Sequence, residues 1–228
     1  MDESSWARWG AASGLLFVAT VLAYVFVTPK APHFDASPTR VAAYYLAHRS
    51  ALTTSGVLVV FSAGVVFVWF LAHLRSVLRR AEGGDDTLAP IVFGAGITLA
   101  AVSVVSVVPN QVLAFRAARA GDAGVISAFY EMNHLFGGFR AITLGLFVLA
   151  ASLAMIRGEL VGPWLGWAGL AVVAVNWVSG VQRFYGRGYG SGWATVTLVA
   201  LLVFTAWILA TSIAMLAGPK ARRIVARS

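Results

Sequence analysis

Glu131, Asn133, His134 and Arg140 fall within ten residues of one another, and the uncharged segment 141–156 follows directly. A polar or charged side chain beside hydrocarbon is costly, so such a cluster is a default functional candidate. On a continuous helix turning 100° per residue, Glu131, His134, Gly138, Ala141, Gly145 and Ser152 share one face. Small residues on that stripe would let a neighbouring helix approach closely. The same stripe would carry Glu131 and His134 into a bundle. Arg140 falls on the opposite face, about 25 Å of helix before Arg157, and can snorkel to headgroups. The plain alternative for Glu131 and His134 is a solvated helix end at the membrane surface.

A carboxyl group in such a setting can act as an acid. Burial raises its pKa and keeps the proton in place until the reaction needs it. Glu131 and Asp35 are the candidate acids, and His134 is the third candidate catalytic residue. The candidate ligand-binding residues are Tyr44, Tyr45, His48, Phe129, Tyr130, Asn133, Asn176, Tyr185 and Trp193. All are expected toward the same ends of the spans. Mostly apolar walls with a few polar groups suit a lipid or small-molecule site. The plain alternative is an aromatic belt with solvated loops.

Two functions fit these residues. The first is an integral membrane protein that binds a lipid or other apolar small molecule in an outer-leaflet aromatic pocket. The second is a membrane-embedded enzyme that starts chemistry on an isoprenoid-type substrate by protonation, with aromatic faces stabilising the cation. The size, helicity and aromatic richness are similar to those of integral-membrane terpene cyclases, although no motif carries that likeness.

Other chemistries find less support. Cysteine is absent. The spacing Glu131-x-x-His134 occurs once, whereas a carboxylate-bridged metal pair needs it on two partner helices. Haem needs axial ligands that meet across the iron, and His73 and His134 are expected at opposite membrane faces. Lys30 and Lys220 are the only lysines and lie outside the spans, which disfavours retinal. No metal or other cofactor is expected. Pumps and channels carry ionisable groups at mid-membrane, and the span cores lack them. Asn176 is the deepest amide, and a helix–helix hydrogen bond accounts for it without a ligand.

The elements that must position these residues follow from composition. The chain has 228 residues, 59% hydrophobic and 11% charged. Several apolar runs reach the length of a membrane span. The expected fold is all-α: one domain, 1–228, a polytopic bundle of six transmembrane helices near 11–27, 51–74, 88–108, 138–157, 160–181 and 193–218. Pro109-Asn110 is expected to close the third span, with a loop over 111–121. Ser37-Pro38 reads as a helix cap and first residue. A short helix over 38–49 is expected to lie at the interface with its aromatic rings toward the membrane. Asp122 should cap a second outer helix reaching about Phe136, with a kink at Gly137-Gly138.

The net charge of +8 reads as headgroup contact and topology rather than nucleic-acid binding. Six spans put both termini on one side. Assigning that side to the cytoplasm places nine cations there and eight outside. The tight cluster Arg75, Arg79 and Arg80 and the basic tail favour cytoplasmic termini. Membrane lipids are the expected partners, and a protein partner or homo-oligomer stays open.

The stretch Asp35-Ala36-Ser37-Pro38-Thr39-Arg40-Val41-Ala42-Ala43-Tyr44-Tyr45, followed by a span ending Trp69-Phe70-Leu71-Ala72-His73-Leu74-Arg75, resembles a family of uncharacterised six-helix integral membrane proteins of high-GC bacteria. The resemblance implies the six-span architecture and a bacterial plasma membrane. It brings no substrate and no catalytic residue.

Overall fold

Without water to solvate it, an apolar chain satisfies its backbone by coiling into helices. The computed structural model describes residues 3–81, 87–157, 163–185 and 192–217, which are helical apart from short connections and contain no strand. Among the described residues, five helical stretches are long and apolar enough to cross a membrane: Arg49–Arg80, Leu88–Ala120, Ala123–Arg157, Pro163–Phe184 and Ala194–Ala217. A shorter apolar stretch, Ala12–Val27, lies within α1 (Glu3–Val27).

A loop joins α1 to α2 (Pro38–Ala47), where Ser37 accepts from the Arg40 amide at 3.4 Å and Pro38 opens the helix. The second long stretch comprises α3 (Arg49–Phe61), a π-turn at Ser62–Val66 and α4 (Phe67–Ala81). The third comprises α5 (Leu88–Val105), α6 (Val107–Val112), a π-turn at Leu113–Ala117 and α7 (Ala118–Ala120). Then come α8 (Ala123–Arg157), α9 (Pro163–Phe184) and α10 (Gly192–Ala217).

The third stretch departs from expectation. Pro109 has no N–H for the Val105 carbonyl, and the helix breaks at Ser106. The chain then coils again through 111–120, where a loop was expected, and stops at Gly121 in the left-handed region with φ 73°. Packing supports this extension: Leu113, Ala114, Ala117 and Ala118 are buried. They share a cluster with Val41 and Tyr45 of α2, Leu52 of α3, and Ile126 and Tyr130 of α8. The face of α2 that carries Tyr45 therefore packs on protein rather than lying ring-down on a membrane.

The main core is separate and mostly aromatic at its centre. Phe17 sits 5.1 Å from Phe67, Phe67 sits 5.3 Å from Phe147, and Phe147 sits 6.2 Å from Trp207, all between ring centroids. Edge and tilted geometries of this kind favour ring pairs.

The closest helix seam joins α8 to α9. At Gly138 a Cβ would stand 3.3 Å from the Gly180 carbonyl, and at Gly180 one would stand 3.2 Å from the Gly138 carbonyl. Only hydrogen fits there without displacement, so the two backbones approach as small-residue stripes allow. Farther along, Gly145 faces Trp177, and Gly166 and Gly169 face Ser152. Helix α8 runs through Gly137-Gly138 as one 35-residue helix, with no break at the expected kink. Asp122 accepts from the Val125 amide at 3.0 Å at its start.

Candidate functional site

The end of the bundle where α1 stops and α2 lies holds a cavity of about 340 Å³. It sits within the volume range of small-molecule sites. Helices α1, α2, α3, α6, α8, α9 and α10 all contribute to its wall. Much of the wall is apolar, including Val25, Val59, Leu144, Leu198 and Leu201. Asn176, Ser179 and Arg183 are buried in it, whereas Lys30 is exposed.

Three tyrosines close the α2 side, each through its hydroxyl. Tyr44 donates to the Pro29 carbonyl at 3.0 Å. Tyr45 donates to Asn110 Oδ1 at 2.6 Å. Tyr130 donates to the Pro32 carbonyl at 2.8 Å. The rings of Tyr45 and Tyr130 meet edge to face at 6.5 Å. These contacts tie the segment after α1 to α2 and α8, and a proline-rich loop can be held this way because its carbonyls are not used within a helix. Gln111 extends the network by donating to the Leu52 carbonyl at 3.1 Å.

On the α9 side, Asn176 donates to the Val172 carbonyl at 2.9 Å and to the Ala200 carbonyl of α10 at 3.4 Å. Its amide thus makes the interhelical bond that its depth suggested and also forms part of the wall. Arg183 is buried against α8: Nη1 donates to the His134 carbonyl and Nη2 to Thr197 Oγ1, both at 3.4 Å. Gly137 makes room, since a Cβ there would run into the Arg183 guanidinium. Helix α9 extends through Gln182 and Arg183, past the expected end of the fifth span at 181.

The expected site residues divide into three groups. Tyr44, Tyr45, Tyr130, Asn133 and Asn176 line the cavity. His48 is exposed beside Tyr44, at a ring distance of 5.1 Å, on an outer cleft shared with Lys30 and Arg40. Phe129 packs against the Val41–Tyr45 cluster. Tyr185 is exposed. The side chain of Trp193 and the segment around Tyr189 lie outside the described residues.

The two candidate acids stand apart from the cavity. Asp35 is 79% exposed and pairs with His33. Glu131 is exposed, which corrects the expectation that it shares an inward face with His134. The inward row here is Ile126, Tyr130, His134 and Gly138, spaced four residues apart and all buried. Glu131 is one residue past Tyr130, about 100° around the helix. His134 is fully buried, with its ring 4.3 Å from Phe34.

Sequence reasoning left Arg140 and Lys30 out of the expected site, and both line the cavity. Arg140 was given a surface role on the strength of its angle from Glu131, and that angle turns it inward once Glu131 points out. Among the described lining residues, Lys30, Arg140 and Arg183 are the charged ones, and none is Asp or Glu. No three His, Asp or Glu side chains gather as metal ligands among the described residues.

Five membrane-length helices define the class, a multi-pass α-helical membrane protein. Comparison with protein-family models, with curated proteins and with solved structures found nothing that matches this chain.

Proposed function

We propose that the protein binds a lipid or another apolar small molecule in the cavity at the α2 end of the bundle. The observation that carries this reading is a cavity of about 340 Å³ whose apolar wall is interrupted by a few hydroxyl, amide and guanidinium groups. That mixture suits a ligand mostly apolar and polar at one end. The alternative, acid-initiated chemistry on an isoprenoid-type substrate, needs a proton donor at the wall. Glu131 and Asp35 are both exposed and absent from it. Binding is therefore the favoured function.

The same proposal places the chain in a bacterial plasma membrane as a six-span member of the family its first loop and second span resemble. Helix α1 has 25 residues, about 37 Å of helix against a hydrocarbon core of about 30 Å. Its apolar part, Ala12–Val27, is shorter than the other five stretches, and in this reading α1 is the sixth span. The Arg75–Arg80 cluster and basic tail then lie on the cytoplasmic side, and the cavity opens toward the outer leaflet.

The test is mass spectrometry of what co-purifies in mild detergent, with Val59→Trp as the control. Val59 lines the cavity and is only half-buried, so an indole can enter the space without disturbing the core. A bound lipid or metabolite present in the wild type and depleted in Val59→Trp supports the reading. Equal retention by both proteins refutes it.

A further inference from the structure

Three cations reach one cavity from three separate elements. Lys30 comes from the segment after α1, Arg140 from α8 and Arg183 from α9. We infer that the cavity selects amphiphiles with an anionic head, a carboxylate or phosphate, which Lys30, Arg140 and Arg183 hold while the tail lies along Leu144 and Leu201. The inference rests on the binding function proposed above and specifies its ligand class.

The first argument is charge. Like charges lining one cavity repel, and an anion placed among them offsets that repulsion. The described lining supplies no carboxylate to do so.

The second is the way Arg183 is held. It is only 5% exposed, and its Nη1 and Nη2 contacts to the His134 carbonyl and Thr197 Oγ1 are with neutral oxygens at 3.4 Å. Thr197 Oγ1 is itself 3.3 Å from Ser179 Oγ. These contacts hold the guanidinium at the cavity wall between α8 and α10. A guanidinium suits two-point recognition of carboxylate or phosphate. Gly137 leaves room for it beside α8, because a Cβ there would run into the guanidinium.

The third is the polarity gradient. Moving inward, Leu144 follows Arg140 by one turn of α8, about 6 Å, and Asn176 lies about 10 Å from Arg183 along α9. Leu144, Leu198 and Leu201 supply apolar wall beyond the charged end. Head and tail thus find different surroundings within one cavity.

The experiment measures equilibrium binding to the full chain in a nonionic detergent. The probes are dodecanoate, dodecyl phosphate, dodecanol, dodecylamine and inorganic phosphate. The expected result is that dodecanoate or dodecyl phosphate binds at least about tenfold tighter than dodecanol, the ratio one charge-assisted hydrogen bond can supply. Arg183→Gln should remove the preference. Should that variant not fold, Lys30→Gln and Arg140→Gln decide. Both residues lie outside the buried core, and each substitution should weaken the anion severalfold and leave dodecanol unchanged. Equal binding of dodecanol and dodecanoate, or a preference for dodecylamine, overturns the head-group assignment while leaving the cavity as a lipid site. Inorganic phosphate binding as tightly as dodecyl phosphate overturns the amphiphile. An anion preference untouched in all three variants overturns the residue assignment. Failure of every probe to bind removes the ligand site itself.

Discussion

Replacing Tyr45 with Ala should open α2 and leave the rest of the bundle closed. Tyr45 is 2% exposed. Its ring meets Tyr130 at 6.5 Å, and its hydroxyl donates to Asn110 at 2.6 Å. Truncating a buried aromatic to Ala costs about 3–5 kcal/mol. Tyr45→Phe removes only the hydroxyl, and Asn110 is half-buried, so about 1 kcal/mol is expected. The loss should stay local because Tyr45 belongs to the smaller cluster with Val41, Leu113 and Ile126, apart from the Phe17–Phe67–Phe147 core. Peptide-resolved hydrogen exchange in detergent is the assay. A loss of about 3 kcal/mol speeds exchange of locally opening amides roughly a hundredfold. The acceleration should appear in Pro38–Ala47 for Tyr45→Ala and be much smaller for Tyr45→Phe. Unchanged α2 exchange in Tyr45→Ala, or equal acceleration across α9 and α10, would refute the idea of a separately stabilised cap.

Gly180→Leu should separate α8 from α9, because even a Cβ at Gly180 stands 3.2 Å from Ala141 Cβ and from the Gly138 carbonyl. Overpacking of this kind costs about 1–3 kcal/mol and should lower the detergent unfolding temperature, whereas an unchanged temperature would show a looser seam. Glu131→Gln should alter neither stability, beyond about 0.5 kcal/mol, nor ligand retention, since Glu131 is exposed and off the cavity. A collapse of binding or turnover in that variant would restore it as a functional acid. With the termini cytoplasmic, Ser191→Cys should react with an impermeant thiol reagent in intact cells and Ser228→Cys should not. The reverse pattern would invert the orientation.

Helix content and the membrane-length stretches were legible in the sequence, because an uncharged run of span length has few other ways to satisfy its backbone in hydrocarbon. Local caps were legible for the same kind of reason: Ser37-Pro38 and Asp122 act on amides three residues away. The small residues of α8 announced a close seam, and Gly138 and Gly145 do face α9.

What the tertiary structure decided was rotation and convergence. A helix that meets protein on one side and lipid on the other is apolar all round, so periodicity does not say which face is inward. The turn at Tyr130 settles it by packing Ile126, Tyr130 and His134 beneath α2 and the loop before it, which puts Glu131 outside. The helix over 111–120 likewise exists because Leu113, Ala114, Ala117 and Ala118 find partners more than fifty residues away at Val41, Tyr45 and Leu52. Lys30, Arg140 and Arg183 are far apart in the chain and carry no mutual spacing. Their meeting on one cavity is a product of helix packing alone.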